Sequence, residues 1–275
     1  YIEITDERVL LGGEAANTAF ALKSWGAEVL LSGNSLGTGE SAEVLRGLLA
    51  KKGLSLEFVP DRGGRTPVCD IYVTPDGDRT MFGMGFSDLG KSEFFSELPV
   101  RSGQWFTADP NFGDAAREAA RHAHAGGMRL YLMDFIRPGD PVYPGSFWQS
   151  STDWAGHPGN LQKNIEWVRR WVDKHGCFTI LSDGPNGLVA GSPDHRVQAY
   201  EPYPCRKVVD STGAGDMLRA GVLFGLESGW QIDDCLRFGM AAGSLKCRSL
   251  GATTRVPRVS EIQKVIGRAP ATALQ

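Results

Sequence analysis

The sequence predicts a three-layer α/β/α fold, built on a doubly wound and mainly parallel sheet with a small β lid. Three observations point to it. Helix-period and strand-like segments alternate along most of the chain. One segment instead alternates apolar and polar residues with period two around a tight turn. A glycine-rich turn at Gly213, Ala214 and Gly215 opens a helix that is apolar on every side, and such a helix belongs inside a layered domain.

The elements follow in chain order. Residues 28–33 read as a short buried strand. Residues 41–52 read as a helix with Val44, Leu45, Leu48 and Leu49 at helical spacing. Residues 68–74 and 79–83 form the period-two hairpin, turning at Asp76 and Gly77. Its Ile71, Val73 and Phe82 are too apolar to leave in water, so the hairpin either closes over substrate or meets a second copy in a homodimer. Residues 104–109 are strand-like, residues 114–125 are an alanine-rich helix and residues 128–134 are the next strand. Residues 137–160, with frequent Pro and Gly, read as one long loop. Ile165, Val168, Trp171 and Val172 make one helix face, and residues 177–183 are again a strand. A single domain over residues 1–275 is expected, with lid strands from about residues 1–11 and 66–84. The chain opens on Tyr1, which fits a missing N-terminal strand.

Composition narrows the function. Net charge is −3, the pI is about 6.0, and Lys and Arg are scattered, so no nucleic-acid footprint exists. No apolar run reaches the roughly 18 residues of a membrane helix, and no signal-peptide pattern follows Tyr1. The cysteines, Cys69, Cys177, Cys205, Cys235 and Cys247, are odd in number, widely spaced and lack a C-x-x-C pair. They argue for a reducing, cytoplasmic location and against a zinc site or a disulfide framework. His122 and His124 lie two apart on a helix and share no face.

The segment with chemistry is residues 208–221. Its glycine turn presents the N-terminus of a buried helix, where free N–H groups and the helix dipole favour an anion. A phosphoryl group in flight carries charge on equatorial oxygens that such a nest stabilises. Asp216, in the first turn, can accept the proton of an attacking hydroxyl. Taken in isolation, a first-turn aspartate is more often simply a helix-start residue.

Residues 210–216, Asp-Ser-Thr-Gly-Ala-Gly-Asp, closely resemble the D-T-x-G-A-G-D signature of the ribokinase-like (PfkB) carbohydrate kinases. Gly12, Gly13 and Asn17 resemble that family's G-G-x-x-x-N substrate motif. Residues 77–80 resemble its lid G-E-R-T, residues 182–187 its T-x-G-x-x-G nucleotide loop, and residues 238–251 its last helix and adenine-side turn. The resemblance implies ATP-dependent transfer of phosphate to a hydroxyl of a small sugar, with Mg²⁺. Asp216 would be the base, and Gly213, Ala214 and Gly215 the anion hole. Gly12, Gly13 and Asn17 would touch the acceptor, and Ser182, Gly184, Gly187 and Gly251 the nucleotide. Asp210 would support a K⁺ site, an ordinary turn aspartate being the alternative. Two departures stand out. Residues 36–39 lack the family's acidic pair, and the N-x-x-E expected before the helix near Gln162 reads Gly159-Asn-Leu-Gln-Lys163, without the acid.

Rival readings are a catalytically silent kinase-like scaffold, a nucleoside kinase, a P-loop NTPase and a dinucleotide binder. Residues 85–92 satisfy G-x-x-x-x-G-K-S, but they follow a polar hairpin and precede barely two helical turns. Residues 37–42 echo G-x-G-x-x-A, at several residues' remove from their strand.

Overall fold

The computed structural model describes residues 3–59, 63–86 and 99–267. Six strands form the central sheet, in the order β3 (Trp105–Ala108), β4 (Arg129–Met133), β5 (Phe147–Ser151), β6 (Phe178–Ser182), β7 (Leu188–Ser192) and β8 (His195–Tyr200). Strands β3 to β6 run parallel, and β7 and β8 continue antiparallel. The lid is a separate antiparallel pair, β1 (Val68–Val73) with β2 (Arg79–Met84).

Helices cover both faces of the sheet. Helix α3 (Asp114–Ala125) lies against the face that carries Leu130, Leu132 and Trp148, and α4 (Leu161–His175) adds Trp167 and Trp171 there. On the opposite face Tyr131, Ile180, Leu188 and Tyr200 meet α5 (Ala214–Glu227) and α6 (Ile232–Lys246). The alternation of Leu130, Tyr131 and Leu132 between the two clusters is the strand period of two. Helices α1 (Glu14–Ser24) and α7 (Val259–Ile266) pack outside α5 and α6, and α2 (Glu40–Lys51) covers the N-terminal segment. Helices α5 and α6 cross at glycines: a Cβ on Gly221 would stand 2.5 Å from the Gly239 Cα.

Three expectations change. Residues 28–33 form only one parallel bridge, Ser32 to Phe58, because Val29 and Leu31 dock on α2 while Leu30 faces solvent. Residues 3–11 form no strand; Val9 is exposed, and these residues pair with no neighbouring backbone ladder. The supposed loop at 137–160 contains β5, whose buried Gln149 and Ser150 disguised it as polar chain. At the place of the expected N-x-x-E, Asn160 is the N-cap of α4, its Oδ1 accepting from Lys163 N at 3.1 Å.

Of the rival motifs, the dinucleotide echo has no strand before it, and the P-loop pattern falls largely outside the described residues. Gly37 lies against residues 64–66, where a Cβ would stand 2.6 Å from Thr66 N, and no strand leads into it. Gly85 ends the lid hairpin, and the Lys91 and Ser92 of the P-loop pattern lie outside the described residues.

Candidate active site

Helix α5 begins where the sequence places it. Gly213 is its N-cap, with φ 79°, ψ 8°, a left-handed conformation that disfavours a side chain. A Cβ there would also stand 2.6 Å from the Ala252 Cβ. The first-turn amides of Gly215 and Asp216 have no helical acceptor and face the cleft. Gln149, on β5, props the turn from below: its Nε2 donates to Gly215 O at 3.0 Å, and its Oε1 accepts from the Tyr131 hydroxyl at 2.6 Å.

Asp216 is 5% exposed, and both its oxygens are engaged. Asn17 Nδ2 donates to Oδ2 at 2.7 Å, and Arg219 Nη2 donates to Oδ1 at 3.3 Å. Burial pushes its carboxyl up, Arg219 and Asn17 pull it back, and Asp109 and Asp134 push it up again; the balance is about 6. A carboxylate tuned to that value is ionised at neutral pH yet basic enough to take a hydroxyl proton.

Around Asp216 stands a ring of acids that sequence reasoning missed. Glu14, in the first turn of α1, is raised to about 8 by burial, Asp109 and Asp216, so it holds its proton at neutral pH. Its Oε1 accepts from Asn111 Nδ2 at 2.8 Å. Asp134, just past β4, has φ 59°, a rare conformation for a non-glycine, and accepts from Ser150 Oγ at 2.6 Å. Burial raises its carboxyl as well. Four polar atoms here are buried without a protein partner: Glu14 Oε2, Asn17 Oδ1, Thr212 Oγ1 and Arg219 Nη1. Unpaired groups gathered at one spot mark where a polar ligand completes the hydrogen bonding.

Asp210 is 2% exposed and serves the backbone. Its carboxylate accepts from Thr212 N at 2.8 Å and from Gly251 N at 2.7 Å, joining the loops on either side of the turn. Burial would raise it, but those bonds and the Lys246 cation outweigh burial and hold it low. Lys246, fully buried on α6, donates to Asp210 O at 2.8 Å and to Ser249 O at 3.4 Å.

Direct contacts join Asn17 to Asp216 and Asp210 to Gly251, and Gly12, Gly13, Ser182, Gly184 and the Gly213 turn border the same broad open surface. Gly187 sits behind it, its backbone packed against Tyr200 O on β8. The lid tip docks beside the turn: Arg79 Nη1 donates to Ser211 Oγ at 2.5 Å, and Gly77 packs on Val208. Among the described residues no cluster of three His, Cys, Asp or Glu could hold a metal.

A sheet covered by helices on both faces, with a helix N-terminus over its central strand β5, is a ribokinase-like fold. The chain belongs to the pfkB family carbohydrate kinases, whose family model matches residues 3–98 and 151–258. It is an ATP-dependent carbohydrate kinase acting on a small-molecule sugar. It is 27% identical to an uncharacterized sugar kinase of Dictyostelium discoideum, over 97% of this chain and 90% of that protein. It is 26% identical to ketohexokinase of Mus musculus, over 89% of each. The structure of Arabidopsis thaliana ribokinase complexed with ribose and ATP superposes with a TM-score of 0.81 at 19% identity, covering 98% of this chain and 91% of that one. No helix among the described residues is long and apolar enough to cross a membrane.

Proposed function

We propose that Asp216 is the general base that takes the proton of a sugar hydroxyl as that oxygen attacks the γ-phosphorus of ATP. The observation that supports this most is the pairing of Asn17 with Asp216, which joins the acceptor motif to the anion-hole motif within one hydrogen bond. The acceptor lies over Gly12 and Gly13 on α1's side, and its hydroxyls satisfy Asn17 Oδ1 and Glu14 Oε2. ATP lies along Ser182, Gly184 and Gly251, with its γ-phosphate over Gly213, Ala214 and Gly215. The amides there receive the charge that develops on the equatorial oxygens. The bond from the γ-phosphorus to the bridging oxygen breaks, ADP leaves, and Asp216 holds the proton until product departs.

Mg²⁺, when bound, offsets the phosphate charge. Such an ion would be held mainly by phosphates and water, with one or two carboxylates of the chain. Asp153, just past β5, and Asp183, just past β6, are the acids on the nucleotide side of the cleft. Asp183 already accepts from Thr152 Oγ1 and Gly159 N, which fixes its orientation. The K⁺ expected beside Asp210 would meet the Lys246 ammonium, which is already bonded to the loop carbonyls.

Both faces of the lid stay exposed, Ile71 and Met81 on one and Tyr72 and Phe82 on the other, and a second copy of the chain is the proposed cover of the Tyr72 and Phe82 face. The free thiols of all five cysteines fit a cytoplasmic enzyme. ADP release measured against neutral sugars, sugar acids and nucleosides tests the reading. Turnover with at least one sugar is expected; turnover with nucleosides alone would contradict it.

A further inference from the structure

Among the described residues Arg219 is the largest fully buried charged side chain, with no surface exposed to solvent. It sits in the middle of an otherwise apolar stretch of α5, one turn beyond Asp216. Nothing in the packing of that helix calls for a cation, and a buried cation is strongly unfavourable unless it is paired and hydrogen-bonded. Nε and Nη2 of the guanidinium are hydrogen-bonded, and Nη1 is not. Nε donates to Thr18 Oγ1 at 2.9 Å and Nη2 donates to Glu14 O at 2.9 Å, so two bonds fasten it to α1. Nη2 also reaches Asp216 Oδ1 at 3.3 Å. Nη1 stands 3.9 Å from Asp109 Oδ2 and has no hydrogen-bond partner.

We propose that Arg219 is a positioning residue for phosphoryl transfer, clamping the Asp216 carboxylate from beneath and keeping it charged at neutral pH. This rests on Asp216 being the base. The geometry divides the labour between the two carboxylate oxygens. Asn17 holds Oδ2 from the acceptor side, and Arg219 holds Oδ1 from the core side. The carboxylate plane is thereby fixed between α1 and α5, with one lone pair of each oxygen left for the substrate.

The charges facing Asp216 make the cation necessary. Glu14 comes from α1, Asp109 from the end of β3, Asp134 from the end of β4 and Lys246 from α6. Glu14 is protonated at neutral pH and Lys246 is bonded to Asp210, which leaves Asp109 and Asp134 opposing ionisation and Arg219 favouring it. Without the guanidinium, burial and two carboxylates would act on Asp216 with only Asn17 in opposition. A base that stayed protonated at neutral pH could not accept the hydroxyl proton.

The test is the pH profile of kcat/KM, whose acid limb reports the free enzyme's base. Removing an opposite charge in contact raises a carboxylate by about 1–3 pH units. Arg219→Met is therefore expected to move the acid limb up by that amount, with loss of rate at pH 7 that recovers at high pH. Arg219→Lys, which keeps the charge but not the fork, should move it less. A folded Arg219→Met with an unmoved limb would show that Arg219 only fastens α1 to α5. If Arg219→Met does not fold, Arg219→Lys decides: an unmoved limb with unchanged kcat would overturn the proposal. Asp216→Asn separates the two levels. If it retains turnover, the base assignment itself fails; if it abolishes turnover while the Arg219 limb stays put, only the role of Arg219 fails.

Discussion

Asn17 and Asp216 are 199 residues apart in the chain, yet Nδ2 of one donates to Oδ2 of the other at 2.7 Å in a buried setting. Helix α1 opens on Gly13 and α5 on Gly213, so two helix starts face each other across this bond. Asn17→Ala removes the donor and leaves a buried carboxylate short of a partner. A hydrogen bond to a charged group contributes about 1.5–3 kcal/mol. Loss of roughly tenfold or more in kcat is expected in steady-state assays, with an acid limb moved above about 6. A limb that stays in place would detach Asn17 from the base.

Glu14 gives a stability test with a defined sign. Its folded-state value of about 8 lies above the ordinary 4.5, so the folded chain keeps a proton that the unfolded chain releases. Stability therefore falls as pH rises from about 4.5 to about 8, because the unfolded state binds fewer protons across that window. Glu14→Gln mimics the protonated form and flattens the decline. Thermal melts at pH 5 and pH 8 should differ less for the variant than for the parent chain. Parallel declines would show that Glu14 does not carry the effect.

Lys246 and Asp210 form the buried ionic pair behind the anion hole, with Nζ and Oδ2 4.0 Å apart. Lys246→Met leaves the carboxylate uncompensated and the carbonyls of Asp210 and Ser249 unbonded. Removing one member of a buried pair costs about 3–5 kcal/mol. Because Asp210 is held low, the stability it contributes is present above its unfolded value and is lost as pH falls through its folded value. Urea melts at pH 7 should show a large loss in the variant, together with a raised KM for ATP. A change below about 0.5 kcal/mol, the usual size at an indifferent site, would exclude a structural role.

The fold was legible wherever local pattern matched local structure. The apolar run after Gly215 announced a buried helix, and the glycine turn announced its start. Period-two alternation gave the β1–β2 hairpin with its pairing of Val73 with Arg79 across the turn. Strand β5 was illegible because Gln149 and Ser150 are polar. They are buried only because Tyr131, Gly215 and Asp134 supply their partners, and those contacts are tertiary. The Arg219 clamp was hidden for the same reason. Its anchors lie on α1, about 200 residues away, and no spacing rule links them. Glu14 read as part of a glycine motif, and its perturbation comes from burial and then from Asp109 and Asp216, which only the fold brings near.

The lid offers a test of assembly. Phe82 is 56% exposed and stacks edge-on with Tyr72, 5.8 Å between ring centroids, on the open sheet face. Phe82→Asp places a charge in the proposed contact between copies. Analytical ultracentrifugation should give a dimer for the parent chain and a monomer for the variant at micromolar concentration. A parent chain that is monomeric there would remove the second copy as the cover.

The account stands most directly on Asp216→Asn. The substitution keeps the side-chain shape and the helix start, and it removes the proton acceptor together with the negative partner of Arg219. Loss of a general base lowers rate by about 10²–10⁴. Steady-state ADP release with the best sugar, measured beside ATP binding by calorimetry, is predicted to show turnover reduced by that factor with ATP affinity nearly unchanged. Near-normal turnover in the variant would contradict the account and leave Asp216 a helix-start residue.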